Sequence, residues 1–251
     1  MTYSNPTPTF PPVSQADEDG LLMFDGELSV PWLLAAYRQG IYPWPIVEQG
    51  HQILSWWSPD PRSILELDDF HVSQRLQRRV GSGRYKATFD QAFEDVIRAC
   101  AAPRRDDTGT WITRAIVDAY VDLHFAGHAH SVEVWRDDQL VGGLYGVALG
   151  GFFAGESMFH RERDGSKLAL YYLVQRLRHR GFVLFDVQQP TAHMISMGAT
   201  EIPRRRFMSR LARAIDLPVT FNDVETDKEV CQIPPLRNTL DGTDSGRTPA
   251  L

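Results

Sequence analysis

Four stretches in close succession decide the reading of this chain: SVEVW at 131–135, LVGGLYGVALGGFFAGESMF at 140–159, KLALYYLVQRLRHR at 167–180 and FVLFDVQ at 182–188. The polar RDDQ between the first two is turn chemistry flanked by β-formers, which predicts a hairpin running on into a further strand. The third stretch is helical, with Ser166 as its expected N-cap and Gly181 as its stop. The fourth has four apolar residues before its first acid and predicts a buried strand, bounded by Pro190 and by a short helix ending near Gly198.

Hairpin, strand, long helix, strand, short helix is the order of an acetyltransferase-like acyltransferase core, a mixed α/β sheet flanked by helices. Working outward, SILELDD (63–69) and RYKATF (84–89) read as strands. HVSQRLQRRV (71–80), QAFEDVIRACA (91–101) and TRAIVDAYVDLHFA (113–126) read as helices. Further upstream, SVPWLLAAYRQ (29–39) predicts a helix, with Pro31 suited to an early position and Gly40 as a stop. The aromatic, proline-punctuated block from Ile41 to Arg62 predicts irregular structure in a small N-terminal domain or a stacking surface. The expected division is a tail at 1–9, a small domain at 10–62, a catalytic domain at 63–216 and an acidic, largely disordered tail at 217–251.

The net charge of −6 argues at first against a nucleic-acid partner, yet it is unevenly spread. Residues 1–30 hold five acids and no base, and residues 216–251 hold seven acids and three bases. The middle therefore carries 23 bases against 20 acids, and only three of the 26 bases are lysines. Guanidinium suits bidentate phosphate contacts. Three runs stand out: Arg75, Arg78, Arg79, Arg84 and Lys86, with no acid between residues 71 and 86; Arg176, Arg178 and Arg180; and Arg204, Arg205, Arg206, Arg210 and Arg213. A single run of this kind is ordinarily a solvated face. Three of them beside exposed-looking tryptophans point to an RNA end. Cys100 and Cys231 support neither a disulfide framework nor a zinc site, the HAH at 128–130 reads as packing, and no stretch is apolar enough for a membrane span. A cytoplasmic monomer is expected.

Asp186 and Gln188 are two apart on one strand, so their side chains share a face at the strand's end, where an acid and an amide could orient an amine and a carbonyl. The plain alternative is an aspartate capping the following turn. Glu156 sits among apolar residues in FFAGESMF, where a salt bridge and a functional role compete as explanations. On strands adjacent to each other, the two acids would attract a cation. Before the long helix, HRERDGSKLA lacks the glycine spacing that cradles a pyrophosphate, which disfavours a coenzyme A donor.

These blocks resemble the bacterial leucyl/phenylalanyl-tRNA protein transferase family from about Phe10 to about Leu211. The resemblance is carried by FPP (10–12), GLLMFDGELS (20–29), AYRQGIYPW (36–44), WWSPDPR (56–62), TWITRAIVDAY (110–120) and GHAHSVEVW (127–135). LVGGLYGVALGGFFAGESMF (140–159), SKLAL (166–170), FDVQ (185–188) and SMGA (196–199) complete it. It implies transfer of Leu or Phe from Leu-tRNA or Phe-tRNA to the α-amino group of proteins that begin with Arg or Lys, which marks them for degradation, with no metal and no cofactor. It implies Asp186, Gln188 and Glu156 as catalytic residues, Trp44 and Trp111 flanking the terminal adenosine, and Phe153, Met158, Leu170 and Leu173 as pocket walls. The chain departs from the family pattern at FDGELS, at Tyr42 and at Ala192 and Met194.

The expected roles are Asp186 holding and deprotonating the amine, Gln188 bonding the reacting centre and Glu156 reading the acceptor's first side chain. Arg75, Arg78, Arg79, Arg84 and Lys86 are expected to dock tRNA, and Asp186→Ala to leave the melting profile intact. A peptidoglycan-type aminoacyl transferase, a coenzyme A N-acetyltransferase and a non-enzymatic RNA-binding module remain as alternatives.

Overall fold

A computed structural model describes residues 8–48, 51–103 and 110–222. In chain order the elements are β1 (Leu21–Phe24), α1 (Val30–Arg38), β2 (Tyr42–Pro43), β3 (Ile46–Glu48), β4 (His51–Ile53), β5 (Ser55–Trp57), β6 (Arg62–Leu65), α2 (Gln74–Val80), β7 (Lys86–Phe89) and α3 (Phe93–Ala101). Then follow α4 (Arg114–Phe125), β8 (Ala129–Arg136), β9 (Gln139–Leu149), β10 (Phe152–His160), α5 (Gly165–Arg180), β11 (Leu184–Gln188), α6 (Ala192–Ser196), β12 (Thr200–Ile202) and α7 (Arg204–Ala214).

Seven strands form one sheet in the order β12-β6-β11-β10-β9-β8-β7, with β10 and β11 its one parallel pair. The long crossover α5 makes that pairing possible. Asp137 and Asp138 both take positive φ in the two-residue turn between β8 and β9, as a tight hairpin requires. Side chains of α1, α3, α4 and α7 pack on one face of the sheet, and α2, α5 and α6 cover the other.

The aromatic block is not irregular. β5 carries Trp56 and Trp57 between β1 and β2, and cross-strand aromatic packing outweighs the prolines, which lie outside β5. The N-terminal region packs closely on the rest, with Phe10, Leu33, Tyr37 and Trp56 sharing one core with Ile116 and Tyr120 of α4. The expected boundary at 62/63 falls inside β6. Asp164, in a left-handed conformation and with no capping side-chain hydrogen bond, takes the N-cap position of α5, and Ser166 lies within the helix. The tail expected from 217 does not start there: Phe221 is 2% exposed and packs on Phe153, while Arg176 donates to its carbonyl at 2.9 Å. The rest of that tail, residues 223–251, and Cys231 with it, lie outside the described residues, as do 1–7.

Candidate active site

β10 and β11 pair only from Phe152/Leu184 to Ala154/Asp186 and then part, leaving a cleft between parallel strands. Each strand bulges at the parting point. On β10 the register against β9 steps from Gly155 to Ser157, so Glu156 is the extra residue; on β11 the register against β6 steps from Asp186 to Gln188. A bulge leaves one residue unpaired and re-aims its side chain. Gly146 faces the first bulge, and a Cβ there would lie 2.2 Å from the Ala154 carbonyl oxygen, so the close approach demands glycine.

The bulges join Glu156 and Gln188 across the cleft. Gln188 Nε2 donates to Glu156 Oε1 at 2.8 Å, and Tyr120 Oη donates to Glu156 Oε2 at 3.1 Å. The Tyr37 and Tyr120 hydroxyls hydrogen-bond to each other, so a polar line runs from α1 through α4 to β11. Burial pushes the Glu156 carboxyl up to about 7, despite the two tyrosines that favour its charge. Burial together with the Glu156 charge likewise pushes both tyrosine hydroxyls well above the usual range, so they stay protonated donors.

Asp186 lies beneath this line and is fully buried. Arg62 grips it with both arms of its fork, Nε to Oδ1 at 2.8 Å and Nη2 to Oδ2 at 2.6 Å. The Gln188 backbone N–H adds a bond to Oδ1 at 2.9 Å. Gln188 has φ of +64°, and this bond holds the strained turn. The expectation that Asp186 touches the incoming amine is therefore corrected: both its oxygens are engaged and no surface is open. Oδ1 of Asp186 bonds the backbone of Gln188 instead. Arg62 also donates to the Gly40 carbonyl at 3.1 Å and lies between the rings of Tyr42 and Phe207, each 4.7 Å away. Burial works against its charge, and Asp186 outweighs burial to hold the pKa above the usual range.

The remaining expected site residues are scattered. Trp44 and Trp111 stack directly on each other, centroids 4.6 Å apart, half-buried against the core. Phe153, Leu170 and Leu173 are fully buried on the α5 side of the sheet, opposite Tyr37 and Tyr120, because long apolar residues on both β10 and α5 fill that core. Met158 is partly exposed on the free edge of β10. Arg75 and Arg79 both pair with Asp164, at 2.7 and 2.9 Å, so the acid-free run of sequence gains an acid in space. Arg78, Arg84 and Lys86 are exposed. Among the described residues no group of three or more His, Cys, Asp or Glu is placed to hold a metal, and no helix is long and apolar enough to cross a membrane.

A family model described as leucyl/phenylalanyl-tRNA protein transferase matches residues 64–212, and one for that family's N-terminal domain matches residues 26–60. The chain belongs to the leucyl/phenylalanyl-tRNA protein transferase family. The leucyl/phenylalanyl-tRNA--protein transferase of Pseudomonas fluorescens (strain Pf0-1) is 53% identical over 212 residues, 84% of this chain and 92% of the relative. The protein of the same name from Aromatoleum aromaticum (strain DSM 19018 / LMG 30748 / EbN1) is 53% identical over 207 residues, 82% of this chain and 86% of the relative. Among solved structures, a GCN5-related N-acetyltransferase from Kribbella flavida aligns with a TM-score of 0.37 at 11% identity, over 66% of this chain and 58% of that one, too loosely to carry an argument. As a member of the leucyl/phenylalanyl-tRNA protein transferase family, the chain is an aminoacyltransferase.

Reading the sequence missed Arg62, Tyr37 and Tyr120 in this transferase and marked Tyr42 only as a departure from the family pattern. Tyr37 and Tyr120 look like ordinary apolar-face helix positions, and nothing local marks Arg62, whose partner is 124 residues away. Tyr120→Phe tests the polar line. Losing the hydroxyl takes a donor from Glu156, so the Glu156 titration should move to higher pH by a few tenths of a unit to about one unit, read from the pH–rate profile.

Proposed function

We propose that this aminoacyltransferase moves Leu or Phe from the 3′ end of an aminoacyl-tRNA to the α-amino group of proteins beginning with Arg or Lys, thereby creating a degradation signal. The observation that carries the reading is the Gln188–Glu156–Tyr120 line at the mouth of the β10/β11 cleft, seated on the buried Arg62–Asp186 pair. An aminoacyl ester is already activated, and an α-amino group titrates near 7.7 to 8, so alignment is the main demand on the enzyme. The amine nitrogen attacks the ester carbonyl carbon, an amide C–N bond forms, and the bond to the ribose oxygen breaks. The proton lost by nitrogen passes to Glu156 and is restored to the ribose hydroxyl. Glu156, with its pKa near neutrality, suits both transfers. Gln188, tied through its amide to Glu156, keeps its carbonyl oxygen available to the amine.

Incubation with Leu-tRNA and peptides differing only in the first residue tests this. Peptides starting with Arg or Lys should gain one leucine by mass, at least about tenfold faster than those starting with Ala, because a second positive charge meets a carboxylate in a partly water-excluded cleft. Equal rates for Arg and Ala would sink the acceptor assignment.

The tRNA contact is assigned to the arginines without acid partners among the described residues. Reversing Arg78 and Arg84 together should weaken tRNA binding and flatten its salt dependence by about 0.9 of a slope unit for each phosphate no longer neutralised. An unchanged slope would move the contact to Arg205 and Arg206, both exposed on α7.

A further inference from the structure

The end of β10, the first turn of α5 and the start of α6 bring together three groups that can meet an anion. His160 closes β10, and a Cβ built on Gly165 would lie 3.3 Å from its Cβ, so this histidine begins against the first residue of α5. Lys167 follows two residues on. His193, on α6, is close enough to both that, after burial, the charges of Lys167 and then His160 depress its pKa. Its Nε2 atom is buried and has no hydrogen-bond partner among the described residues. A buried polar atom is rarely left so unless something absent supplies the bond. A neutral imidazole still offers an N–H there.

The surroundings favour an anion that is part of a long polyanion. Asp164, the acid nearest in sequence to this turn, is already held by Arg75 and Arg79 of α2, and those two arginines continue the basic surface toward exposed Arg78 and Arg84. At its other end the cluster adjoins the strand whose free edge lines the cleft. A chain of phosphates laid along this track would deliver its terminal residue between β10 and β11.

We propose that Lys167, His160 and His193 bind a backbone phosphodiester next to the aminoacylated nucleotide of the donor. This rests on the transferase reading above and adds a site to it. Their role is to seat the nucleic acid so that the ester reaches Gln188 and Glu156.

Two donors separate this site from the chemistry: leucyl-adenosine, which has no phosphate, and leucylated cytidylyl-adenosine, which has one phosphodiester. With an Arg-initiated peptide as acceptor, the ratio of kcat/KM for the second donor over the first should fall about tenfold in Lys167→Gln and in His193→Gln. The salt dependence of the phosphodiester donor's KM should flatten by about 0.7 of a slope unit when the Lys167 charge is removed. A ratio equal to that of the unaltered protein overturns the inference while leaving the transferase reading intact. If His193→Gln fails to fold, Lys167→Gln, at a part-exposed position, decides alone. Failure of the unaltered protein to use either these donors or Leu-tRNA overturns the transferase reading and the inference with it.

Discussion

Asp186→Ala should cost the folded chain about 3–5 kcal/mol and its transfer activity together, because it strands the Arg62 guanidinium in a fully buried site. Domains are commonly stable by only about 5–15 kcal/mol, so the loss should appear as a large fall in the midpoint of a urea or thermal melt. A melt matching that of the unaltered protein, with activity alone lost, would show that Asp186 acts on substrate and that the ion pair is dispensable. The double replacement Arg62→Met with Asp186→Leu separates fold from function. Removing both charges leaves no unpaired ion, so most of the stability should return. Activity should not return, since the Gln188 N–H loses the Asp186 oxygen that fixes its turn.

Glu156→Gln should cut transfer by about a hundredfold or more, the usual worth of a positioned base, and remove the limb of the pH–rate profile near pH 7. The limb set by the acceptor's own amine, near pH 7.7 to 8, should remain. Retention of the lower limb in the variant would assign it to another group. Stability gives an independent readout. The Glu156 carboxyl titrates higher in the folded chain than its ordinary value of 4.5, so what it contributes to stability is complete below pH 4.5 and is lost as pH rises through about 7. The unaltered protein should therefore lose stability between those values relative to Glu156→Gln, in melts at pH 5 and pH 8. If the two proteins decline in parallel, Glu156 is not the buried carboxyl described above. The same variant bears on acceptor choice: if Glu156 also reads the cationic first residue, the preference for Arg over Ala should shrink with the rate.

The three arginine runs show where sequence stops informing. All three look alike in the chain, yet Arg176 is buried against Phe89 and holds the Phe221 carbonyl, Arg210 pairs with Glu66, and Arg204 binds the Asp60 side chain through its backbone N–H. Arg78, Arg84, Arg205 and Arg206 are left exposed. The helix α7 escaped notice for a related reason: its apolar Phe207, Leu211 and Ala214 are outnumbered by bases, although they fall on one face at helical spacing.

By itself the sequence determined the order of strands and helices around the cleft and the turns at Asp137–Asp138 and Gly181, while its motif blocks carried the family resemblance and drew attention to Glu156, Asp186 and Gln188. The elements and turns depend on periodicity, caps and turn residues, which act over a few positions along the chain. Only the tertiary structure decided which acid is paired with a cation and which is held by neutral donors. Asp186 is neutralised by an arginine from β6, Glu156 is raised by burial beneath two tyrosines from α1 and α4, and two facing bulges turn Glu156 toward Gln188. Charge and solvation are set by what lies within a few ångströms in space, and in this chain the partners come from 32 to 124 residues away.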